Sequence, residues 1–545
     1  DLPAIVTTSA DPRPRVLCGQ GPAPAGATIG HFRDHGFEEI PGSGPLAAAV
    51  PGAVDAWLLL LRDHGTLGLR DVLQPAIDYA RHGHPLVPAV HSTIDRVRGL
   101  FEQHWPTSAA LWTGSAGPRP GQLFVNRAWA ETLDRLVRIG ESAPGDREAQ
   151  VEAVRHAWGQ GFVAAAVDRF SREALHHPGG QVLPGLVTGA DLAAYCASWE
   201  DPVVSELAGH RIAKTDVWGQ GPTLLQTFGI LQALARTDGS GVLDPDTEQG
   251  AHALVESWKL AMADREAWYG DSGDLPTAQL LSDDYAAQRA GLVGDSASLE
   301  LRPGSPGGHS PRLPSALDPA TTVTRPDDPS AGEPTVRAAR ADGQPLDDHG
   351  RGDTCHVDVV DRWGNMISAT PSGGWLQSSP TIPDLGFCLG SRLQMFWLEE
   401  GLPSSLVPGA RPRTTLTPTL VLAGDEPVLA CGSPGGDQQD QWQSLFLLRH
   451  LVGGHDLQTA IDAPMLHTAS FPSSFAPRVT EPGAVYVEDR VDPAVLTGLE
   501  RRGHLLQRTG PWSLGRMCAV ARDPDTGVLT AGANPRGMQG YAAGR

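Results

Sequence analysis

Residues 301 to 353 are rich in Pro, Gly, Asp and Ser, show little apolar periodicity, and stop abruptly at Thr354. Such a stretch cannot bury enough apolar surface to offset the entropy of ordering it, so it reads as a loop or mobile tail. From Thr354 the texture reverses. "CHVDVVD" alternates, "RWGN" turns and "MISAT" continues, which is a hairpin pattern. Upstream, about 290 residues read mostly as helices; downstream, "TLTPTLVLAG", "EPVLACG", "AVYVEDR", "LLQRTG" and "RMCAVARDPDTGVLTAGAN" read as strands. The chain is therefore α+β, with a mainly helical portion 1–353, a joint over about 301–353, and a strand-rich portion 354–545.

Two segments carry the helical reading. "VDAWLLLLRDHGTLGLRDVLQPAIDYARHG" places apolar residues at helical spacing up to Gly83, a C-terminal stop. "EQGAHALVESWKLAMADREAWYGD" puts Leu254, Trp258 and Met262 on one face and charge on the other, the pattern of an amphipathic helix. The net charge of −21 disfavours nucleic acid and anionic membranes as partners. No apolar run is long enough to span a bilayer. The six cysteines are scattered without a CxxC pair, so neither a zinc site nor a disulfide framework is expected, and reduced thiols point to the cytoplasm. The chain opens at Asp1 with neither Met nor an apolar leader, which predicts that the natural start lies upstream.

Thr354 is an ordinary strand-initiating residue unless the Asp353–Thr354 bond is cut. Then it becomes an N-terminal nucleophile. A hydroxyl attacks poorly until a base removes its proton, and the α-amine of the same residue can be that base. That amine titrates at about 7.7–8.0, so an appreciable minority is unprotonated at neutral pH. The same hydroxyl can cut the bond by attacking the preceding carbonyl, giving an ester that water resolves. "CGSPGGDQQDQWQ" (431–443) reads either as a tight strand-to-helix turn or as a developing-oxyanion site. In the second reading Gly435 and Gly436 aim bare N–H groups at one point, and Trp442, Leu445 and Phe446 anchor the helix behind them. "GQGPTLL" lacks the third glycine of a dinucleotide fingerprint, GxSxG is absent, and His176–His177 and His82–His84 lack metal spacing. No cofactor and no metal are expected, and no carboxylate dyad can be nominated.

The blocks "APAGAT", "VPGAVDAWLLLLRDHGTL", "VLQPAIDYARHG", "VTGADLAAY", "VESWKLAMADR", "DTCHVDVVDRWGN", "RPRTTLTPTL" and "GSPGGD" occur in one order. In that order the chain resembles the γ-glutamyltransferase family of N-terminal nucleophile hydrolases nearly end to end. The resemblance implies a four-layer αββα sandwich, cut autocatalytically into a large subunit (1–353) and a small subunit (354–545). It makes Thr354 the nucleophile, Ser372 its hydroxyl partner, and Gly435–Gly436 the oxyanion loop. Thr414 and Thr415 take the place of a paired-serine motif that touches a substrate carboxylate.

The chain departs from the family where a γ-glutamyl group would be held. The arginine that grips its α-carboxylate is replaced by Gln20, and an asparagine after the hairpin by Gly374. The glutamine and aspartate that hold its α-amino group fall on Arg392 and Met395. Losing a charged Arg and a charged Asp removes the strongest hydrogen bonds a zwitterion can receive, so γ-glutamyl preference should be abolished. Arg392 could grip a different carboxylate. The expected activity is hydrolysis of an amide or acyl substrate through an acyl ester at Thr354. Hydrolytic C–C cleavage releasing a short acid, as in alkylproline-antibiotic pathways, is the competing enzymatic reading, and an uncut scaffold or binding module is the non-enzymatic one.

Overall fold

The computed structural model describes residues 1–114, 117–119, 121–177, 180–271, 275–317, 354–373, 376–536 and 540–544. Helices and sheets are mixed throughout, and the two largest sheets are each assembled from both sides of residue 354. One sheet has five strands in the order Val357–Val360, Met366–Ala369, Pro3–Thr7, Arg15–Cys18 and Ser198–Glu200, all antiparallel. The other has six, in the order Leu529–Ala533, Cys518–Arg522, Glu426–Gly432, Thr419–Ala423, His210–Lys214 and Val203–Leu207, again antiparallel. A separate three-stranded sheet joins Leu466–Thr468, Ala484–Val487 and Leu505–Arg508.

Period-two alternation explains how the large sheets stack. In Thr419–Ala423, Leu420 and Leu422 meet Ile5, Val16 and Met366 of the five-stranded sheet. Val421, between them, points the other way and joins Phe228, Trp258 and Phe446 on helices Pro222–Asp238, Glu248–Trp268 and Gln439–Leu447. On the opposite side, Ala4, Leu17 and Ala369 pack against Ala56 and Leu59 of helix Ala53–His64. Apolar residues at consecutive positions of one strand are thus buried on both faces, which is why "TLVLA" is a nearly unbroken apolar run.

The hairpin expected after Thr354 is present. Val357 pairs with Ala369 and Val360 with Met366, and Gly364 at φ +92° closes the turn. Two helical readings need correction. The 54–83 run is two helices, Ala53–His64 and Leu69–His82, because Gly65 ends the first and Gly68 starts the second. Helix Glu248–Trp268 is not amphipathic in place: every residue from Gly250 onward is buried. Its charges pair inside the protein, Lys259 with Glu256 at 2.6 Å and Asp264 with Arg289 at 3.3 Å.

The joint also divides. Residues 301–317 are irregular but held to the body: Gly304 donates to Asp264 at 2.7 Å and accepts from Trp268 at 3.0 Å. Residues 318–353, with Asp353 on the upstream side of the expected cut, lie outside the described residues. Among the described residues no helix is long and apolar enough to cross a membrane.

Candidate active site

The five-stranded sheet lines up the first site residues by register alone. The hairpin pairing, continued by Cys355 N–H to the Pro371 carbonyl at 3.1 Å, sets Thr354 opposite Ser372. Ser372 and Asp1 exchange backbone hydrogen bonds of 3.1 and 2.8 Å, and Leu2 and Gly19 exchange theirs at 3.1 and 2.7 Å, which sets Asp1 beside Gln20. Thr354, Ser372, Asp1 and Gln20 therefore form one row across four strands, with about 4.8 Å between neighbours. Thr354 is only 8% exposed, and its Oγ1 lies 3.0 Å from Ser372 Oγ. Such a contact lets one hydroxyl hand a proton to the other.

Two residues on, His356 sits between Thr370 Oγ1 at 2.8 Å and Asp358 Oδ1 at 2.9 Å, which fixes the strand that carries Thr354. Its ring lies against Gly432, where a Cβ would come within 2.2 Å of Cε1. Only glycine fits there. This contact brings the end of strand Glu426–Gly432, and so the start of the Gly-rich loop, to the Thr354 end of the sheets.

The loop is shaped by its glycines and braced from below. Gly435 (φ +128°) and Gly436 (φ +55°) take left-handed backbone, and a Cβ on Gly435 would lie 2.4 Å from Trp442 Cζ3. Trp442, Leu445 and Phe446 are buried, as the anchoring role requires. Asp437, the next residue, receives Ser474 N–H at 2.8 Å and Ser474 Oγ at 2.6 Å and forms an ion pair with Arg265. Burial pushes the Asp437 carboxyl up, but Arg265 and the Ser474 donors outweigh it and hold it below the usual carboxylate range. Arg265 also reaches Gln220 at 2.6 Å, and Gln220 reaches Asp440 at 2.9 Å. Asp440 is in turn 3.1 Å from Lys214, whose ammonium burial holds below its ordinary pKa. A buried ion is tolerated only with partners, so this chain of paired charges fixes the loop and the start of helix Gln439–Leu447 together.

Beside Ser372 lies a cavity of about 160 Å³. Its walls include Val54, Trp129, Trp158 and Phe387, with Asp1 and Arg392 closing a polar side. Phe387 stacks on Trp158 at 17° and meets Trp129 edge-on at 81°. Arg392 Nε donates to Asp1 Oδ2 at 2.7 Å, with both side chains 5% exposed or less. The loop bearing Arg392 is docked by Ser391 N–H on the Gly373 carbonyl at 3.1 Å.

Of the residues nominated from sequence, Ser372 and Arg392 line this cavity, and Thr354 stands behind Ser372. Gln20 is buried in the same row, its Nε2 on the Pro412 carbonyl at 3.3 Å and its Oε1 without a partner. Met395 is fully buried against Phe475 and does not line the cavity. Thr414 and Thr415 are buried too; Thr414 N–H bonds the Trp218 carbonyl at 3.1 Å, and no hydrogen bond joins either threonine to Thr354 or Ser372. Gly374 and Asp353 lie outside the described residues. Sequence reasoning missed Asp1 and the aromatic wall. The register of the hairpin onto the first strand is the one signal that could have placed Asp1.

The sequence profile of gamma-glutamyltranspeptidase matches residues 1–544. The chain belongs to that family. The glutathione hydrolase-like YwrD proenzyme of Bacillus subtilis (strain 168) is 27% identical over 505 residues, covering 91% of this chain and 81% of that protein. The acylase ACY 1 proenzyme of Pseudomonas sp. (strain SE83) is 26% identical over 495 residues, 90% of this chain and 74% of that one. The solved structure of LmbA2991T421A is 52% identical with a TM-score of 0.91, over 100% of this chain and 90% of that one. The cephalosporin acylase from Bacillus halodurans shares the fold, with a TM-score of 0.77 at 24% identity over 100% of this chain and 86% of that one. This member of the gamma-glutamyltranspeptidase family is a hydrolytic enzyme of the N-terminal nucleophile kind.

Proposed function

We propose that the chain cuts itself between Asp353 and Thr354 and then uses Thr354 to hydrolyse a small acyl or amide substrate that is not a γ-glutamyl compound. One observation carries this reading: the buried Thr354 Oγ1 lies 3.0 Å from Ser372 Oγ, and Ser372 borders the cavity. The stacked sheets with helices on both outer sides are read as the four-layer αββα core, with a large subunit 1–353 and a small subunit 354–545.

The first turnover is intramolecular. Thr354 Oγ1 attacks the Asp353 carbonyl, the C–N bond breaks, and water hydrolyses the ester, leaving a free α-amine on Thr354. In later turnovers that amine takes the hydroxyl proton as the oxygen attacks the substrate carbonyl. N–H groups of Gly435 and Gly436 receive the oxyanion, the proton passes to the leaving group, and water releases the acid. Small size follows from the cavity, since pockets for drug-sized ligands begin at about 300 Å³. Loss of γ-glutamyl preference follows from Gln20, which brings no charge to a γ-glutamyl carboxylate.

A second reading, C–C hydrolysis releasing a short acid in an alkylproline-antibiotic pathway, uses the same attack on a ketone. The small cavity and the altered charges beside it favour it equally. Mass spectrometry of the denatured protein tests the common core. It should find a fragment beginning at Thr354, and Thr354→Ala should give one intact chain. Cleavage of that variant at the same bond would mean an external protease and sink the mechanism. A single uncut wild-type chain would favour a scaffold or binding module.

A further inference from the structure

Asp358 is a buried carboxylate that no arginine or lysine neutralises. Its side chain is 2% exposed, and among the described residues its side-chain partners are His356 and Cys518 alone. Oδ1 lies 2.9 Å from His356 Nε2, and Oδ2 accepts from the Cys518 thiol at 3.5 Å. We propose that His356, Asp358 and Cys518 form a binding site for Zn²⁺ or a similar borderline-soft dication, which staples the two large sheets together at their Thr354 end. The site goes beyond the hydrolase reading and does not depend on it.

Strand alternation assembles the set. His356 and Asp358 are two residues apart and so share one face of the five-stranded sheet, the face turned to the six-stranded one. Cys518 opens strand Cys518–Arg522 of that second sheet and pairs with Gly432, the residue on which the His356 ring rests. The three ligand atoms lie within 4.8 Å of one another. Zinc bonds of about 2.0–2.3 Å hold tetrahedral ligand atoms about 3.3–3.8 Å apart. The 2.9 and 3.5 Å separations need only small side-chain rotations to reach that spacing. His356 Nδ1 lies 2.8 Å from Thr370 Oγ1, which can accept its proton and leave Nε2 as the ligating lone pair. The spacing of the cysteines along the chain hides this set, because Cys518 arrives from 160 residues beyond Asp358.

Charge separates this cluster from the other one of its kind. His252, Glu256 and His504 also bring three ligand atoms together, but Glu256 already pairs with Lys259 at 2.6 Å and Arg302 at 3.1 Å. A dication there would be repelled. Asp358 has no such partner, and a lone carboxylate in a site of low dielectric is costly. On binding, the Cys518 thiol releases its proton to solvent, and the imidazole stays neutral with its proton on Nδ1. One dication, one thiolate and one carboxylate then sum to zero. A thiolate and an imidazole select zinc and its neighbours over magnesium or calcium, which prefer oxygen. Cys518 is half-buried, and from its side solvent reaches the cluster.

Equilibrium dialysis of the full chain against Co²⁺, a coloured stand-in for zinc, tests the site. Wild type should take up one Co²⁺ per chain and show a near-ultraviolet cobalt–thiolate charge-transfer band. Cys518→Ser should lose the band, and Asp358→Asn should weaken binding on the order of 100-fold. His504→Gln, at the cluster whose carboxylate is already paired, should bind as wild type does. Zn²⁺ should displace the band and raise the melting temperature of wild type but not of Cys518→Ser. A wild type without uptake or band overturns the site and leaves Asp358 balanced by a proton on His356. A band that survives in folded Cys518→Ser, checked by circular dichroism, puts the metal on another of the six cysteines and overturns it too. Neither readout needs turnover or self-cleavage. Failure here leaves the Thr354 reading standing, and an uncut, inactive chain that shows the band would sink that reading alone.

Discussion

Two parts of the candidate site, the proposed reacting end around Thr354 and the cavity beside Ser372, are built on different principles. At the reacting end, Thr354 and Ser372 are set by sheet register, and the Gly435–Gly436 loop stands on a chain of buried, paired charges from Asp437 through Arg265 and Gln220 to Asp440 and Lys214. At the recognition end, the walls are single side chains from separate helices and loops, Trp129, Trp158, Phe387 and Arg392, closed by Asp1. Changing one residue of the first kind leaves a buried charge alone; changing one of the second reshapes a wall. The chemistry is therefore hard to alter by small steps, and the choice of substrate is easy to alter.

The largest expected effect breaks the reacting end. Thr354→Ala should lower turnover by roughly 10⁴-fold or more in a stopped acyl-transfer assay, while the circular dichroism spectrum stays that of wild type. Next comes the recognition end. Turnover of a γ-glutamyl anilide by processed enzyme should fall roughly 10³-fold below that of its best acyl donor, because its α-carboxylate would meet the neutral Gln20. Efficient glutathione hydrolysis would show that the placement of Gln20, Arg392 and Met395 is wrong. Gly436→Val should cost about 10²–10³ in kcat with little change in KM, since it disturbs donors used in the transition state. Normal turnover in that variant removes the loop from the site.

Two smaller effects sharpen the contrast. Asp437→Asn should cost about 3 kcal/mol in urea unfolding, at the low end for a broken buried pair because Glu266 still faces Arg265. Arg392→Gln, from the other end, should cost less, its partner Asp1 being at a cavity wall. A pH series separates unfolding from titration of the site. His504, buried against His252, is held down to about 3 by burial and nearby positive charges. The unfolded state then takes up the proton first, below about pH 6.5. Stability should be full above that pH and fall as pH drops toward 3, by at most about 1.4 kcal/mol per pH unit. His504→Gln should flatten that slope in denaturant melts. Loss of activity near pH 7–8 in both proteins would then belong to the Thr354 amine.

Thr354, Gly435 and Gly436 could be nominated from the sequence because their signals are local. An alternating strand after an irregular stretch, and two glycines before a helix, describe their own geometry within a few residues. The recognition end could not, because Trp129, Phe387 and Asp1 meet only after three elements have packed. Met395 shows the opposite limit: the family resemblance nominates it, and packing hides it against Phe475. The helix Glu248–Trp268 was misread for a related reason. Charges on its second face normally mean solvent, but here they find partners on Asp437, Arg289 and Arg302. The break at Gly65–Gly68 was written in the glycines and was outvoted by the apolar spacing on either side.

The interleaving of strands has a consequence for how such an enzyme is made. Three of the five strands in one sheet and two of the six in the other precede Thr354. Neither piece left by a cut at that residue would own either of the two large sheets whole, so neither would offer a finished core on which the other could later dock. Under the proposed cut, both would condense as one translation product, and the cut would fall within an assembled particle. Stoichiometry would then need no assembly step. One ribosome passage would yield one copy of each part, already in place.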